Sequence, residues 1–329
     1  MSTDERKIMK LNVDDLVARK LVKKTKSTVD GEQLSILKYT RKVFYDNLWH
    51  LDDRLLECRG TVVDQYDNVV VLPFRKVFNR YENGTSLDEY PDDDVLIIEK
   101  INGFMAAATK RAGHDELLIS TTGSLNSNFV GLAKFWLAPL TSKVCDVIPP
   151  GCTMLFEIND PNDPHIVAEH PGAYLIGVRS TNNGNMMSEK DLDQVVRFIN
   201  VELDKVGAIL RLRRPRWYSI HKSELDRHVE IFSKAEREGL MVLPQTDDPI
   251  QGSLMKIKTP MYLVKKFLMR MGPARVEKVF SDPQSAKATI DEEFYDLIDW
   301  LVSEYTKQDW IGMDEAARRV VIERYYGVV

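Results

Sequence analysis

The stretch Ile97-Ile98-Glu99-Lys100-Ile101-Asn102-Gly103-Phe104-Met105-Ala106 runs apolar into a lysine, breaks for three residues, and starts a second apolar run. Two readings compete for it. Asn102-Gly103 is the dipeptide of a type I′ turn, so the stretch reads as a β-hairpin with Lys100 snorkelling at the strand end. Alternatively, Lys100 is a nucleophile presented by a strand end. These few letters do not decide between them, and the surrounding chain has to.

Five further segments accompany the stretch in a fixed order. Leu56-Glu57-Cys58-Arg59-Gly60 and Phe74-Arg75-Lys76-Val77-Phe78-Asn79 precede Lys100; Leu155-Phe156-Glu157-Ile158, Glu238-Gly239-Leu240-Met241-Val242 and Lys256-Ile257-Lys258-Thr259-Pro260-Met261-Tyr262 follow it. Each has a bland reading: Glu157 as a solvent carboxylate at a strand end, Glu238-Gly239 as a helix C-cap, Lys256 and Lys258 as the exposed face of an alternating strand. Their joint appearance in this order favours a nucleotidyl-transfer site, in which a Lys-x-x-Gly amine attacks a nucleotide α-phosphate.

Composition sets the frame. Hydrophobic residues make up 43% and charged residues 29% of the 329, a globular balance that excludes fibrous and wholly disordered classes. At ~100–200 residues per domain, the length leans toward two domains. No apolar run reaches the ~18 residues of a membrane helix, and Met1-Ser2-Thr3-Asp4-Glu5-Arg6 has no apolar stretch behind it. Cys58, Cys145 and Cys152 cannot all pair with one another and form no C-x-x-C, which argues for a reducing compartment. The expectation is a soluble cytoplasmic protein with no membrane contact and no obligate protein partner.

The formal net charge of −5 disfavours a general nucleic-acid coat, but its distribution is uneven. Between Lys256 and Lys278 seven basic residues face only Glu277, whereas residues 291–329 hold ten acidic and four basic residues. Such alternation fits a basic groove on an acidic protein as well as it fits solvated helix faces.

Short β-branched or aliphatic runs bounded by Gly, Pro, Asn or Asp predict strands at Arg59–Asp64, Val69–Leu72, Val95–Lys100, Phe104–Thr109, Leu117–Thr121, Thr153–Ile158, Tyr174–Val178, Leu240–Leu243 and Leu254–Ile257. Helical spacing covers Asn128–Leu137 and Glu189–Ile199, with Ser188 as N-cap, and later Glu292–Tyr305 and Asp314–Tyr325. The reading is an α+β fold: a domain of antiparallel sheets with flanking helices over residues 1–264, then a small all-α C-terminal domain over 265–329.

Taken together, the segments resemble the covalent nucleotidyltransferase superfamily of polynucleotide ligases and capping enzymes. Within it they are most similar to phage-type ATP-dependent RNA ligases that repair broken tRNA. The Leu56–Gly60 segment and Lys76-x-Phe78-Asn79 make the resemblance specific, and it runs from about Tyr39 to Val264. It implies a nucleotidyltransferase domain of the ligase and capping type. It also implies three steps: Lys100 attacks ATP, the adenylate passes to an RNA 5′-phosphate, and a 3′-hydroxyl displaces AMP. The implied partner is RNA with 5′-phosphate and 3′-hydroxyl ends, nicked tRNA among the candidates. Around the nucleotide it implies Tyr39, Arg59, Lys76, Glu157, Glu238, Lys256, Lys258 and Tyr262. Glu238 would hold a divalent metal, Mg²⁺ or in its place Mn²⁺.

The chemistry needs these residue types. An unperturbed lysine with pKa ~10.4 is only about 0.1% neutral near pH 7.4, so the nucleophile needs a depressed pKa. The i, i+2 spacing of Lys256 and Lys258 points both amines to one face of a strand, where they are expected to depress Lys100 and meet the α-phosphate. Arg59 offers a fork suited to β- and γ-phosphates, Lys76 is the implied second phosphate contact, and Glu157 binds ribose or helps place a metal.

Three departures stand out: Asn102 replaces the Asp of many relatives, Thr122 stands where a lysine is expected, and residues 265–329 are shorter than the tRNA-recognising tail of well-known relatives. The helical tail is expected to be a separate unit that tunes RNA choice through its basic Lys265–Lys278 entry while the chemistry stays upstream. A DNA ligase or capping guanylyltransferase usually continues into an OB-fold barrel, which a helical tail does not resemble. A non-catalytic RNA-binding relative would need no intact Lys100, Glu238, Lys256 and Lys258. Arg211–Tyr218 interleaves cations with aromatics, as a nucleic-acid contact or an amphipathic strand would. His165 and His170 make no convincing metal pair.

Overall fold

The computed structural model describes residues 9–143, 145–163, 166–245 and 253–327. Among these residues no helix is long and apolar enough to cross a membrane. His165 lies outside them.

Three antiparallel sheets carry the chain up to Lys258. The first has the order β1-β2-β3-β4, from β1 (Val22–Val29), β2 (Glu32–Tyr39), β3 (Arg59–Val63) and β4 (Val69–Val71). Short helices α1 (Asp14–Ala18), α2 (Arg41–Tyr45) and α3 (Arg54–Glu57) flank it. The hairpin β1–β2 turns on Asp30-Gly31, with Val29 paired to Glu32. Neither strand is among the expected ones, because β1 is an edge strand rich in lysine and threonine with little apolar alternation.

The second sheet has the order β10-β9-β8-β6-β7. Its strands are β6 (Phe104–Lys110), β7 (Leu117–Thr121), β8 (Cys152–Asn159), β9 (Gly172–Ser180) and β10 (Leu212–Arg213), the last parallel to β9. Both faces of this sheet are covered, so its strands read as unbroken apolar runs. Ala106, Ala108, Met154 and Phe156 face helices α4 (Asn128–Lys143) and α5 (Glu189–Lys205), while Ala107 and Leu155 face Leu34, Ile36 and Val62 of the first sheet. Ser188 caps α5, accepting from the Asp191 amide.

The third sheet has the order β11-β5-β12-β13, from β5 (Asp94–Lys100), β11 (Trp217–His221), β12 (Gly239–Pro244) and β13 (Met255–Lys258), with α6 (Leu225–Lys234) packed on it. This corrects the hairpin reading of the opening stretch. β5 and β6 are consecutive in the chain but belong to different sheets, and Ile101-Asn102-Gly103 is the crossing between them, with Ile101 and Asn102 buried. The same topology removes the C-cap reading of Glu238-Gly239, since α6 ends at Lys234 and Gly239 opens β12.

The remainder is helical: α7 (Pro260–Arg270), α8 (Pro273–Ser281), α9 (Pro283–Lys287), α10 (Tyr295–Glu304), α11 (Lys307–Gly312) and α12 (Glu315–Tyr325). They share one core in which Phe267, Phe294, Leu297, Ile298, Leu301, Trp310 and Ile322 are fully buried. The expected helix at 292–305 begins as a single 3₁₀ turn, Glu292–Phe294. Thr259 caps α7 and Pro260 takes its first turn, so the expected boundary at 264/265 falls inside this helix.

Candidate active site

Three neighbouring strands of the third sheet, β5, β12 and β13, place the site. In their register Gly239 of β12 pairs with Lys100 on one side and with Lys258 on the other. The two lysines therefore flank a residue without a side chain. A Cβ on Gly239 would lie 1.9 Å from the Ile257 carbonyl oxygen, so β13 approaches this closely only because position 239 is glycine. Segment 74–79 runs along the outer edge of β13: the Lys256 amide donates to the Phe78 carbonyl and the Arg80 amide to that of Lys256.

A cavity of about 900 Å³ opens at this rung, lined by Arg59, Lys100, Glu157, Glu238, Lys256, Lys258 and Tyr262 among others. A second cavity of about 700 Å³ adjoins it and shares Arg59, Lys256 and Lys258; Tyr39 and Lys76 line this one and not the first. Lys76 is buried, its Nζ 4.9–5.3 Å from the ring centroids of Phe44, Trp49 and Phe78 and 3.2 Å from Glu82. Tyr39 packs edge-on against Trp49.

Lys100 Nζ meets Glu238 Oε1 at 2.7 Å, where Glu238 is 3% exposed. The other Glu238 oxygen accepts from Asn102 Nδ2 at 2.9 Å. Asn102 is itself pinned: its Oδ1 accepts from the Val167 amide and its carbonyl from Asn159 Nδ2, each at 3.0 Å. An aspartate at 102 would turn this donor into a second carboxylate facing Glu238, so the departure at this position has a physical reason. Thr122 also lines the first cavity, its backbone against Gly60.

Charge in the site runs against one expectation. Burial works to lower the Lys100 pKa, but the carboxylates of Glu238 and Glu157 outweigh it and hold the amine above its ordinary value. Glu157 is pushed up to about 7 by burial, with Lys100 drawing it back and Glu238 adding repulsion. Lys258, expected to depress Lys100, is itself neutralised. Its Nζ pairs with Glu293, and burial lowers its pKa despite that partner. Neither Glu157 nor Lys258 is the solvent-facing group of the bland readings.

Glu293 belongs to the tail, so the tail reaches the site. Glu293 sits between Lys258 and Lys266, 2.6 Å from the latter; burial opposes its charge, but the two ammoniums hold its pKa down to about 2. Asp291 pairs with Lys266 at 2.9 Å and with Arg270, so much of the positive charge expected at 256–278 is already matched. Helix α7 connects the two regions: Tyr262 lines the cavity and lies 3.4 Å from Asn102 Nδ2, while Val264 and Phe267 enter the helical core.

Sequence reasoning gave Glu293 no role, and counted Lys266 only as one of the seven basic residues at 256–278; neither belongs to a motif, and their ion pair places both at the site. Beside Lys100, Glu99 pairs with Arg237 at 3.0 Å, and Arg237 reaches Glu169 at 3.2 Å. The Arg211–Tyr218 run is largely committed internally. Arg211 pairs with Asp204, Arg214 with Glu189 and Asp193, and Trp217 donates to Asp193.

Among the described residues no cluster of three or more His, Cys, Asp or Glu forms a ready metal cage. Glu157 and Glu238 instead offer hard oxygen donors in one cavity, and their mutual repulsion is relieved by positive charge. That pattern suits an Mg²⁺-like ion, which takes one or two carboxylates and completes its shell with substrate phosphates and water.

No family model matches the chain, and no curated protein sequence matches it. Among solved structures it is similar to a putative ATP-dependent DNA ligase from Aquifex aeolicus, at 14% identity over 96% of this chain and 71% of that one, TM-score 0.56. It is also similar to an archaeal ATP-dependent RNA ligase in two forms. Form 1 is 15% identical over 96% of this chain and 74% of that one, and form 2 is 16% identical over 95% and 76%; both have a TM-score of 0.57. The likeness establishes the fold alone: α+β, with antiparallel sheets and flanking helices followed by a helical C-terminal region, the architecture it shares with these ligase structures.

Proposed function

We propose that the chain is an ATP-dependent RNA ligase of the phage type that joins 5′-phosphate and 3′-hydroxyl RNA ends through a lysyl-AMP intermediate. One observation carries the reading: the ordered segments converge, with Lys100 and Lys258 on the strands either side of β12, Glu238 immediately before β12, and Arg59, Glu157 and Lys256 lining the same cavity. In the first step the Lys100 ammonium gives one proton to Glu238 Oε1, 2.7 Å away, and the freed lone pair forms the bond to the α-phosphorus as the bond to pyrophosphate breaks. The second proton of the attacking nitrogen leaves with pyrophosphate. The adenylate then passes to the RNA 5′-phosphate, and a 3′-hydroxyl displaces AMP. Arg59, Lys256 and Lys258 balance the phosphate charge, since such transfers depend on positioning and electrostatics. A divalent cation, Mg²⁺ or Mn²⁺, held by Glu238 with Glu157 would supply further positive charge to the phosphates when bound.

A DNA ligase is the second reading, favoured by the likeness to the Aquifex aeolicus protein. The Leu56–Gly60 and Lys76–Asn79 segments support RNA. Incubation with α-labelled ATP or GTP, followed by sealing of nicked RNA and nicked DNA, tests both readings. The expected result is covalent label from ATP alone, lost in Lys100→Ala, and sealing of RNA. Label from GTP, an AMP adduct on Lys100→Ala, or no label at all would refute it.

A further inference from the structure

The second cavity is basic, but its roof is acidic. Eight of its lining residues are basic and three acidic, and two of the three, Asp291 and Glu293, come from the turn that enters α10. Glu293 inserts between Lys258 and Lys266, and all three side chains are almost buried, at 9–12% exposure. The other ties between this roof and α2 are peripheral. The Arg41 guanidinium donates to the Ala288 carbonyl at 3.2 Å, the Tyr45 hydroxyl to Gln284 Oε1 at 3.1 Å, and Tyr295 meets Phe44 and Tyr45 edge-on.

So many cations lining one cavity repel one another unless an anion lies among them. A carboxylate between two ammoniums supplies that anion, with two acceptor oxygens where a phosphate would place its own. While Glu293 is there, the charge of Lys258 is spent. A polyphosphate brings more charge and more acceptor oxygens than one carboxylate, so it can take over both lysines.

We propose that Glu293 is an internal stand-in for phosphate: it occupies the Lys258–Lys266 pair in the free protein and gives way to an incoming polyphosphate. The helical tail thereby regulates phosphate entry to the site. This inference rests on the reading of Lys258 as a phosphate donor.

Tripolyphosphate binding to the full chain, followed by titration calorimetry, tests it. Glu293→Gln removes the competing anion and should bind about tenfold more tightly than the unaltered protein. Asp46→Asn removes a carboxylate that lines the same cavity but pairs at the surface with Lys42, and should change affinity less than about twofold. Equal tightening in both would reduce the effect to general charge. Unchanged or weaker binding in Glu293→Gln would show that the carboxylate merely holds the lysines in place; either result overturns the proposal. Should Glu293→Gln fail to fold, Glu293→Asp keeps the charge and withdraws it by one methylene. Tighter binding than the unaltered protein then supports displacement, and equal or weaker binding overturns it. Labelling with ATP, run alongside, separates the two ideas. Tightening without any lysyl adenylate refutes the ligase reading alone, and label without tightening refutes the stand-in alone.

Discussion

Replacing Gly103 by Asn separates two accounts of the segment after Lys100. In a type I′ turn, Asn is among the best substitutes for Gly because it tolerates the left-handed region. Here Gly103 is outside that region, and what excludes a side chain is backbone. A Cβ would lie 2.3 Å from the Ile158 carbonyl oxygen and 3.1 Å from Glu157 Cγ. An ordinary carbon–oxygen contact is about 3.3–3.6 Å, so the crossing and β8 would have to part by about 1 Å. Such overpacking costs about 1–3 kcal/mol. Each strained hydrogen bond, from Asn159 Nδ2 to the Asn102 carbonyl and from the Val167 amide to Asn102 Oδ1, adds about 0.5–1.5 kcal/mol. The total of roughly 2–6 kcal/mol corresponds, at about 2.1 cal/mol/K of unfolding entropy per residue, to a fall in melting temperature of roughly 3–9 °C. Displacement of that size beside a nucleophile is worth about 10² in rate, so adenylate formation should fall about as far. Circular dichroism melts and initial labelling rates measure both. Gly103→Ala should behave like Gly103→Asn, whereas Gly113→Asn, at φ +76° with nothing within 4 Å of its Cβ, should stay near the unaltered protein. A Gly103→Asn protein that melts and labels normally would reinstate the turn and refute the close-approach argument.

Lys256→Ala and Lys258→Ala should each slow both adenylation and the joining of pre-adenylated RNA by roughly 10²–10³, the worth of one preorganised phosphate donor; normal sealing in both would make the pair a strand surface. In Glu238→Gln the main charge holding the Lys100 amine above its ordinary pKa is gone and burial dominates, so the amine should titrate at lower pH. Nuclear magnetic resonance of reductively methylated lysines reads this directly, and an unmoved Lys100 signal would contradict the electrostatic account. Glu293 is held at about 2 against an ordinary 4.5, so its contribution to stability is present above pH 4.5 and is lost as pH falls toward 2. This predicts an acid-sensitive component of up to about 3 kcal/mol, visible in urea midpoints, that Glu293→Gln should abolish.

What could be read in the sequence is what short-range chemistry controls. Strands β5 to β9, β12 and β13 announce themselves as apolar runs because they are largely buried, whereas the short β10 and the mostly exposed β11 do not; the order Lys100, Glu157, Glu238, Lys256–Lys258 can be read from the string because the proposed phosphoryl transfer calls for these residue types. The edge strand Val22–Val29 was not legible, since a solvated lysine-rich strand needs no apolar alternation. Nor was the crossing at Ile101–Gly103, where the same Asn-Gly letters serve a turn in one fold and a close backbone approach in this one. Asn102 looked like a departure until its side chain was seen donating to Glu238. The pairing of Lys258 with Glu293 joins groups far apart in the chain with no spacing rule between them. Periodicity and local propensity act over a few residues and leave their trace in the string. Which carboxylate neutralises which amine, and how closely two backbones pass, is decided only when sheets and helices pack and exclude water. The charge state of Lys100 belongs to that second kind: two carboxylates hold its charge in place, and the lysine expected to oppose them is neutralised by the tail.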